Sequence, residues 1–330
     1  MRKHRFILIL LAGCLFLFAG CTPTRERPEE TGESGNRLLL GFAQIGSESS
    51  WRIGNTRSVQ DAAEQHGIQL MMSDANQKQE NEIRAIRQFI AYQVDVIAFV
   101  PIVEEGWENV LLEARNAGIP VILSDRQISG TIDESLYTTY VGADFYAEGK
   151  KAGEFLLKKA EQSEKETLHI VELLGTPGST PALQRERGFH DVIAGDSRFE
   201  MLEAVSGDFL RSKGKESMEK LLEKWGSEID VLYSHNDGMT LGAIDAIESA
   251  GLRPGKDIVI ITVDGEQAAV DLLKEGKINC VVECTPMLGD LIMELTEKLA
   301  AGEEVPRVIH PEETMFTEYD DLDGIPARGY

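Results

Sequence analysis

Three apolar, strand-like runs in this chain each stop abruptly at an acidic or amide residue. Residues 121–125 read Val-Ile-Leu-Ser-Asp, residues 231–236 read Val-Leu-Tyr-Ser-His-Asn, and residues 258–264 read Ile-Val-Ile-Ile-Thr-Val-Asp. Continuous Val, Ile and Leu runs are typical of strands buried on both faces of a parallel sheet. Ligands of open α/β sheets bind beyond the carboxyl ends of such strands, so each run brings a polar side chain to that edge.

Strand and helix patterns alternate along most of the chain. The alternation runs from residue 38 to 125, is interrupted by a turn-rich stretch at 126–135, and then continues to residue 301. In the helical pattern at 79–93, Glu82 falls outside the apolar face. A chain of 330 residues exceeds what one core usually supports. We therefore predict an α/β protein with two doubly wound parallel-sheet lobes.

Residues 1–20 have the composition of an export signal. Three basic residues precede an almost wholly apolar stretch at 6–18, and small residues stand directly before Cys21. Small residues before a Cys resemble the bacterial lipobox, so we predict a lipoprotein signal peptide at 1–20 and lipidation of Cys21. Cys14 also follows a lipobox-like sequence, but apolar residues continue beyond it. A transmembrane anchor is the alternative, although the stretch falls short of the ~20 residues that span a bilayer.

The charge of the chain restricts its partners. Residues 21–36 are polar and cannot pack, so we predict a flexible tether there. Without residues 1–20 the chain has 30 basic and 56 acidic residues, a net charge of −26. Nucleic acid is excluded as a partner because phosphate binding needs clustered Lys and Arg. An anionic membrane surface would repel this body, so a covalent lipid is the expected means of retention.

Two Cys residues lie beyond the N-terminal segment, Cys280 and Cys284, and both fall in a strand pattern. Four residues along a strand span about 13 Å, which is too far for a disulfide. We predict two buried free thiols. A Cys-x-x-x-Cys metal pair is the alternative, but no His or further Cys follows nearby.

No catalytic motif stands out in the chain. The sequence lacks a Gly-x-Ser-x-Gly elbow, a His-Glu-x-x-His zinc motif, a P-loop and a Gly-x-Gly-x-x-Gly fingerprint. The His residues beyond the signal segment are scattered and have no metal-ligand spacing; they are His66, His169, His190, His235 and His310. We expect structural roles for them, with His235 placed to support the neighbouring Asn236. We therefore predict no enzymatic activity, no cofactor and no bound metal.

Polar and aromatic side chains collect instead at strand ends and helix starts. Trp51 and Arg52 lie in the loop that follows the first strand pattern. Trp51 is a candidate ligand residue or, alternatively, a core residue. Asp125 and Arg126 end the fourth strand pattern and are candidates too, with a surface ion pair as the alternative.

The second half of the chain adds further candidates. Arg185 and Arg187 lie two residues apart on a helix, so only one of them can face a cleft. The ring of Phe209, at another strand end, either stacks on a ligand or covers the core. Asn236 and Asp237 begin a helix, so one of them should cap it while the other faces outward.

These residue types share one kind of chemistry. Carboxylate, amide and guanidinium groups form paired hydrogen bonds, which suit vicinal hydroxyl groups. Aromatic faces suit the C–H side of a sugar ring. The set favours a polyol-binding site over a catalytic site.

Seven segments in this order and spacing carry a family resemblance: residues 41–51, 77–81, 120–126, 207–215, 235–237, 254–257 and 263–265. Together they resemble the sugar-binding proteins of the ribose/galactose periplasmic class (type I). The chain is most similar to the galactofuranose-binding components of bacterial ABC transporters. The resemblance covers residue 38 to the C-terminus.

The resemblance implies a type I periplasmic-binding-protein fold, whose two lobes are joined by a three-stranded hinge and close on a sugar. The chain would cross between lobes near 139–142, near 283–286 and after 306. The family's ligand positions fall on Trp51, Arg52, Asp125, Arg126, Arg185, Phe209, Asn236, Asp264 and Glu283. Glu283 is placed less firmly than the others, because the spacing that follows it is one residue shorter than in the family.

The implied organisation assigns the whole chain. The N-terminal lobe takes 37–140 plus 285–308, and the C-terminal lobe takes 141–284 plus 309–330. The implied function is a monomeric, lipid-anchored extracytoplasmic solute-binding protein. It would capture galactofuranose or a related monosaccharide in the cleft between the lobes and deliver it to an ABC permease.

Three other functions share features with this chain. The same lobes could present sugar to a membrane kinase or chemoreceptor, as a sensor. A secreted hydrolase acting through Asp125 and Asp264 is a second alternative. A repressor's effector domain shares the fold, but an export signal stands where a DNA-binding motif would be.

Overall fold

Residues 37–330 of the protein are described by a computed structural model. The predicted signal peptide at 1–20, the lipidation site Cys21 and the tether at 21–36 lie outside the described residues. Among residues 37–330, every helix is too short or too polar to span a bilayer.

The described chain forms two α/β lobes. The first lobe contains β1 (Leu39–Gln44), α1 (Ser50–His66), β2 (Gln69–Asp74), α2 (Gln79–Tyr92), β3 (Val96–Phe99), α3 (Glu108–Asn116), β4 (Val121–Ser124), β5 (Thr139–Val141), α9 (Gly289–Ala300) and β11 (Val308–Ile309). The second lobe contains α4 (Phe145–Ala160), β6 (Leu168–Leu174), α5 (Thr180–Ile193), β7 (Phe199–Ser206), α6 (Arg211–Trp225), β8 (Val231–Ser234), α7 (Asp237–Ser249), β9 (Val259–Asp264), α8 (Gln267–Lys274), β10 (Cys280–Glu283) and β12 (Met315–Thr317).

Each lobe is built on one six-stranded sheet. The strand order is β11-β5-β4-β3-β1-β2 in the first lobe and β12-β10-β9-β8-β6-β7 in the second. Every pairing is parallel except that of β10 with β12, which is antiparallel. The short edge strands β11 and β12 are absent from the strand patterns of the sequence, because two or three residues are too few to show a period. The two-lobed α/β fold is as predicted.

Three connections link the two sheets. The chain passes from β5 to α4, from β10 to α9 and from β11 to β12. The second connection returns the chain to the first lobe, where Leu288, Ile292 and Met293 join the apolar core. Because three separate segments cross between the lobes, this region is suited to act as a hinge.

The start of α7 shows how a buried polar group is accommodated. Asn236 is the N-cap of α7, and its side-chain oxygen accepts a hydrogen bond from the Met239 N–H at 3.0 Å. The sequence-based expectation that Asp237 would face outward is wrong, because Asp237 is fully buried. Its Oδ2 accepts the backbone N–H groups of Gly265 at 2.8 Å and Glu266 at 2.7 Å. Asp237 therefore ties α7 to the loop after β9.

Burial, with the neighbouring Glu266 as a further cause, raises the pKa of Asp237 to about 8. Between the ordinary pKa of Asp and about 8, the folded protein keeps this proton bound while the unfolded chain has released it. The free energy of unfolding therefore falls as the pH rises through that range.

We predict that Asp237→Asn removes this part of the pH dependence. The amide oxygen can accept the same two N–H groups, and the amide nitrogen can donate to the Thr262 hydroxyl, which lies 2.7 Å from the Asp237 Oδ1. Urea unfolding should show the wild type losing free energy of unfolding relative to the variant between about pH 5 and about pH 8. The exposed Asp271→Asn is the control. A constant difference between wild type and Asp237→Asn would contradict the prediction.

Candidate ligand-binding cleft

The carboxyl ends of the two sheets face one cavity between the lobes. It encloses about 330 Å³ of empty space, its mouth included. The lining residues are Glu48, Ser49, Trp51, Arg52, Asp125, Arg126, Phe145, Pro181, Arg185, Phe209, Asn236, Asp264 and Cys284. The structure therefore brings together every sequence-predicted ligand residue except Glu283.

Three of the predicted ligand residues have an unusual backbone conformation. Asp125 (φ 60°), Phe209 (φ 62°) and Asp264 (φ 122°) all have positive φ, although none is glycine. Such conformations cost roughly 1–3 kcal/mol each and tend to occur at functional sites. Two hydrogen bonds hold the turn at Asp125. The Asp125 N–H donates to the Val141 carbonyl at 2.8 Å, and the Tyr140 hydroxyl donates to the Asp125 carbonyl at 2.7 Å. The strands thus end in turns that redirect carboxylates and a ring into the cavity.

The first lobe contributes an Arg flanked by two carboxylates. The Arg52 Nη2 donates to the Asp125 Oδ2 at 2.6 Å, and its Nε donates to the Glu48 Oε1 at 3.3 Å. Although burial opposes it, the pKa of Arg52 is raised by these two partners. Asp125 is buried and paired with Arg52, so the surface ion pair considered for Asp125 and Arg126 is excluded. Glu48 was missed because it lies in a loop without a period.

Arg126 lies across the cleft from an aromatic ring of the second lobe. Its guanidinium carbon lies 5.5 Å from the centre of the Phe209 ring, and its Nη1 donates to the Ile102 carbonyl at 3.1 Å. Burial, together with the positive charge of Arg52, lowers the pKa of Arg126 to about 10. Its Nε is buried and has no hydrogen-bond partner among residues 37–330. Arg126 therefore stays charged at neutral pH and keeps a free donor.

The position of Glu82 in α2 differs from the one predicted from the sequence. The helical periodicity of α2 placed Glu82 off the apolar face, but the side chain is fully buried. Neither carboxylate oxygen has a hydrogen-bond partner in the described chain, and burial raises the pKa of Glu82 well above its usual range. The nearby positive charges are those of Arg126 and Arg52, so this buried acid lies behind the cleft.

Arg185 organises the second lobe's side of the cavity. Its Nε donates to the Glu148 Oε2 at 2.7 Å, and its Nη1 donates to the His235 carbonyl at 2.6 Å. The Nη2 lies 3.8 Å from the Asp264 Oδ1. Arg187 is exposed, so Arg185 is the one member of this pair that faces the cleft. Burial raises the pKa of Asp264 well above its usual range although Arg185 opposes the shift.

Trp51 belongs to α1 of the first lobe but packs against residues of the second. It is buried in the same apolar cluster as Phe145 and Cys284. Its indole Nε1 donates to the Cys284 carbonyl at 2.7 Å, and its backbone N–H donates to the Glu266 Oε1 at 3.0 Å. Trp51 thus lines the cavity and is at the same time a buried core residue. Its contact with a ligand stays a prediction.

Glu283 and His235 lie outside the cavity lining. Glu283 pairs with Arg328, and its Oε2 accepts the Thr314 N–H at 2.9 Å. His235 is fully buried behind Arg185, with its Nε2 placed 2.8 Å from the Glu172 Oε1. His235 therefore supports the cleft through Arg185, whereas Glu283 is paired with residues outside the lining.

Cys280 and Cys284 are buried free thiols, as predicted. Burial raises the pKa of both thiols well above the usual range. Two groups in the described part of the chain could supply ligands to a metal ion: Glu148 with Cys284 and Glu313, and Glu172 with Glu186 and His190. In each group one carboxylate already has a protein partner, since Glu148 pairs with Arg185 and Glu172 pairs with His190.

Comparison with known proteins identifies the family. A model of the periplasmic binding protein domain matches residues 40–304. The galactofuranose-binding protein YtfQ of Escherichia coli (strain K12) is 43% identical over 299 residues, which cover 89% of this chain and 93% of YtfQ.

Solved structures agree with this relationship. A Mycobacterium smegmatis protein in complex with β-D-fucofuranose has 45% sequence identity and a TM-score of 0.82, covering 86% of this chain and 92% of that one. The arabinose-transporter binding protein of Shewanella sp. ANA-3, bound to α- and β-L-arabinofuranose, has 41% identity and a TM-score of 0.81, with coverage of 86% and 92%. This protein therefore belongs to the periplasmic binding protein family.

Proposed function

We propose that this protein is a lipid-anchored, extracytoplasmic receptor that binds a monosaccharide in furanose form between its lobes and delivers it to an ABC permease. One observation carries the proposal. Each lobe presents an Asp at the end of a parallel strand, and the two carboxylates, Asp125 and Asp264, line the same buried cavity. A ligand that bonds to both would hold the lobes together.

The side chains around the cavity fit a polyol. Among residues 37–330 the Asp264 carboxylate has only a distant partner in Arg185, at 3.8 Å, so its oxygens are available to accept hydrogen bonds from hydroxyl groups. Arg126 keeps a free Nε–H donor. Carboxylates and guanidinium groups together bind vicinal hydroxyls in pairs. The rings of Phe209 and Trp51 can cover the apolar face of a sugar.

The relatives favour a furanose over other sugars. Three proteins of 41–45% identity that match along most of their length are described as binding galactofuranose, fucofuranose and arabinofuranose. Galactofuranose and fucofuranose are hexose-derived rings, and arabinofuranose is a pentose ring. The shared element is the five-membered ring, which is therefore the ligand class that we propose for this cleft.

The family also bears on activity and location. Periplasmic binding proteins are solute-binding proteins of a non-enzymatic kind, and their family implies an extracytoplasmic location. The predicted export signal at 1–20 and the predicted tether at 21–36 support the proposal of membrane retention through Cys21. The description of one relative as the binding-protein component of an ABC transporter supports delivery to a permease.

We predict that isothermal titration calorimetry detects saturable binding of a furanose and weaker binding of the matching pyranose. The panel should contain galactose, arabinose and fucose, whose solutions hold furanose and pyranose forms in equilibrium, with methyl β-galactopyranoside, which is locked in the six-membered ring, as the matched control. A micromolar or tighter Kd, about −8 kcal/mol or stronger, is expected for at least one furanose. Absence of heat with the entire panel would refute the proposed ligand class.

We predict that Asp264→Ala abolishes measurable sugar binding while the unfolding midpoint of the unliganded protein stays close to that of the wild type. The Asp264 carboxylate faces the cavity and contributes little to the core, because its one partner is distant. Asp271→Ala, an exposed change in the same lobe, is the control. Asn236→Ala is a poorer test, since loss of the α7 N-cap alone costs about 1 kcal/mol. Full binding by Asp264→Ala would show that its carboxylate is structural.

We predict that Cys21→Ser releases the protein from the cell membrane and that Cys14→Ser does not. Only the Cys at the cleavage site receives the lipid, and Ser has no thiol to which the lipid can be attached. Membrane fractionation and metabolic labelling with a radioactive fatty acid measure both effects. Retained label in Cys21→Ser together with loss of label in Cys14→Ser would move the lipidation site to Cys14.

A further inference from the structure

Glu266 makes a buried contact between the lobes outside the cavity. It follows β9 of the second lobe and precedes α8, and its Oε1 accepts the backbone N–H of Trp51 at 3.0 Å. Trp51 lies in the first turn of α1, in the first lobe. Glu266 is absent from the residues that line the cavity. The contact therefore joins the two lobes through a residue that does not line the proposed sugar site.

The electrostatics of α1 make this contact favourable. The first turn of α1 contains no acidic residue of its own, although the N-terminus of a helix attracts negative charge. The side-chain oxygen of the helix N-cap, Ser49, accepts the Arg52 N–H, and the Ser49 carbonyl accepts the Ile53 N–H, so neither bonds to the Trp51 N–H. Glu266 thus supplies from the other lobe the carboxylate that the helix lacks.

The Glu266 backbone is held by a residue of its own lobe. Its N–H donates to the buried Asp237 carboxylate at 2.7 Å, and both residues belong to the second lobe. The side chain is only 3% exposed in the closed arrangement. A carboxylate held in place on one lobe and bonded to a helix N-terminus of the other is a contact that opening must break.

We propose that Glu266 is a closure latch: a positioning residue that caps α1 of the opposite lobe and so sets how long the closed protein retains its ligand. This inference rests on the proposed function, in which a sugar binds between closing lobes. Sugar enters the open cleft, in which the latch is not formed, so the latch should act on the dissociation rate and leave the association rate nearly unchanged.

Stopped-flow kinetics and calorimetry with the furanose that binds the wild type test the latch. We expect Glu266→Ala to raise the sugar dissociation rate and Kd by about tenfold or more, because a buried hydrogen bond to a charged group is lost. Glu266→Gln keeps an acceptor without the charge and should show a smaller loss. Glu275→Gln, an exposed change at the end of α8, is the matched control and should match the wild type.

A structural role for Glu266 within its own lobe would give a different pattern. It would lower the unfolding midpoint of the unliganded protein, whereas a latch should leave that midpoint unchanged and reduce only the stabilisation that sugar adds. Dissociation rates of Glu266→Ala within twofold of the wild type would overturn the proposal. So would an equal fall in the unfolding midpoints of unliganded and liganded protein.

A measurement without sugar separates the latch from the proposed function. Cysteines introduced at the exposed Asn116 and Ser249, one in each lobe, allow single-molecule energy transfer to report closure. Glu266→Ala should reduce the closed population of the unliganded protein relative to the wild type. An unchanged population would overturn the latch. If the wild type bound no sugar, a reduced population would still support the latch while the proposed function failed.

Discussion

The second lobe's side of the cleft depends on the hydrogen bonds that the buried Arg185 makes with its neighbours. Removing a guanidinium from water costs several kcal/mol unless its donors are satisfied. Glu148 on α4 and the His235 carbonyl after β8 satisfy two of them, at 2.7 and 2.6 Å. His235 is in turn held by Glu172, whose carboxylate lies 2.8 Å from its Nε2. Two helices and two strands are thereby fixed around one charge, and Asp264 is placed against its remaining side.

The first lobe repeats this arrangement with different elements. Arg52 at the start of α1 donates to Asp125 at the end of β4, and Glu48 takes a second donor. Each lobe therefore sets an Arg beside an Asp at a strand end. In both lobes, protein groups accept most of the hydrogen bonds that the Arg donates. The Asp125 and Asp264 carboxylates thus keep oxygens that a ligand or water can use. In the proposed function, sugar hydroxyls, which donate and accept, would bond to both halves at once.

The sequence predicts the fold and most of the cleft because both depend on local patterns. Buried parallel strands read as continuous apolar runs, and the residues that follow them must lie at the ligand edge, which places Asp125, Asn236 and Asp264 correctly. Glu82 and Asp237 were misplaced, since periodicity assumes that an acid avoids the interior. Their burial depends on Arg126, Thr262 and backbone N–H groups that come close only in the folded chain. The contact between Glu266 and Trp51 spans 215 residues and has no local signal.

Contacts between the lobes fall into two classes with different consequences. Side chains that line the cavity, such as Asp125 and Asp264, are the ones that we propose discriminate between ligands, because each sugar would present different hydroxyls to them. A contact made by a residue outside the lining, such as that of Glu266 with the Trp51 N–H, is the same for every ligand. A contact that is common to all closed complexes shifts the closing equilibrium equally for each of them. Substitutions at Glu266 can therefore change affinity for every sugar together, while selectivity among sugars stays with the residues that line the cavity.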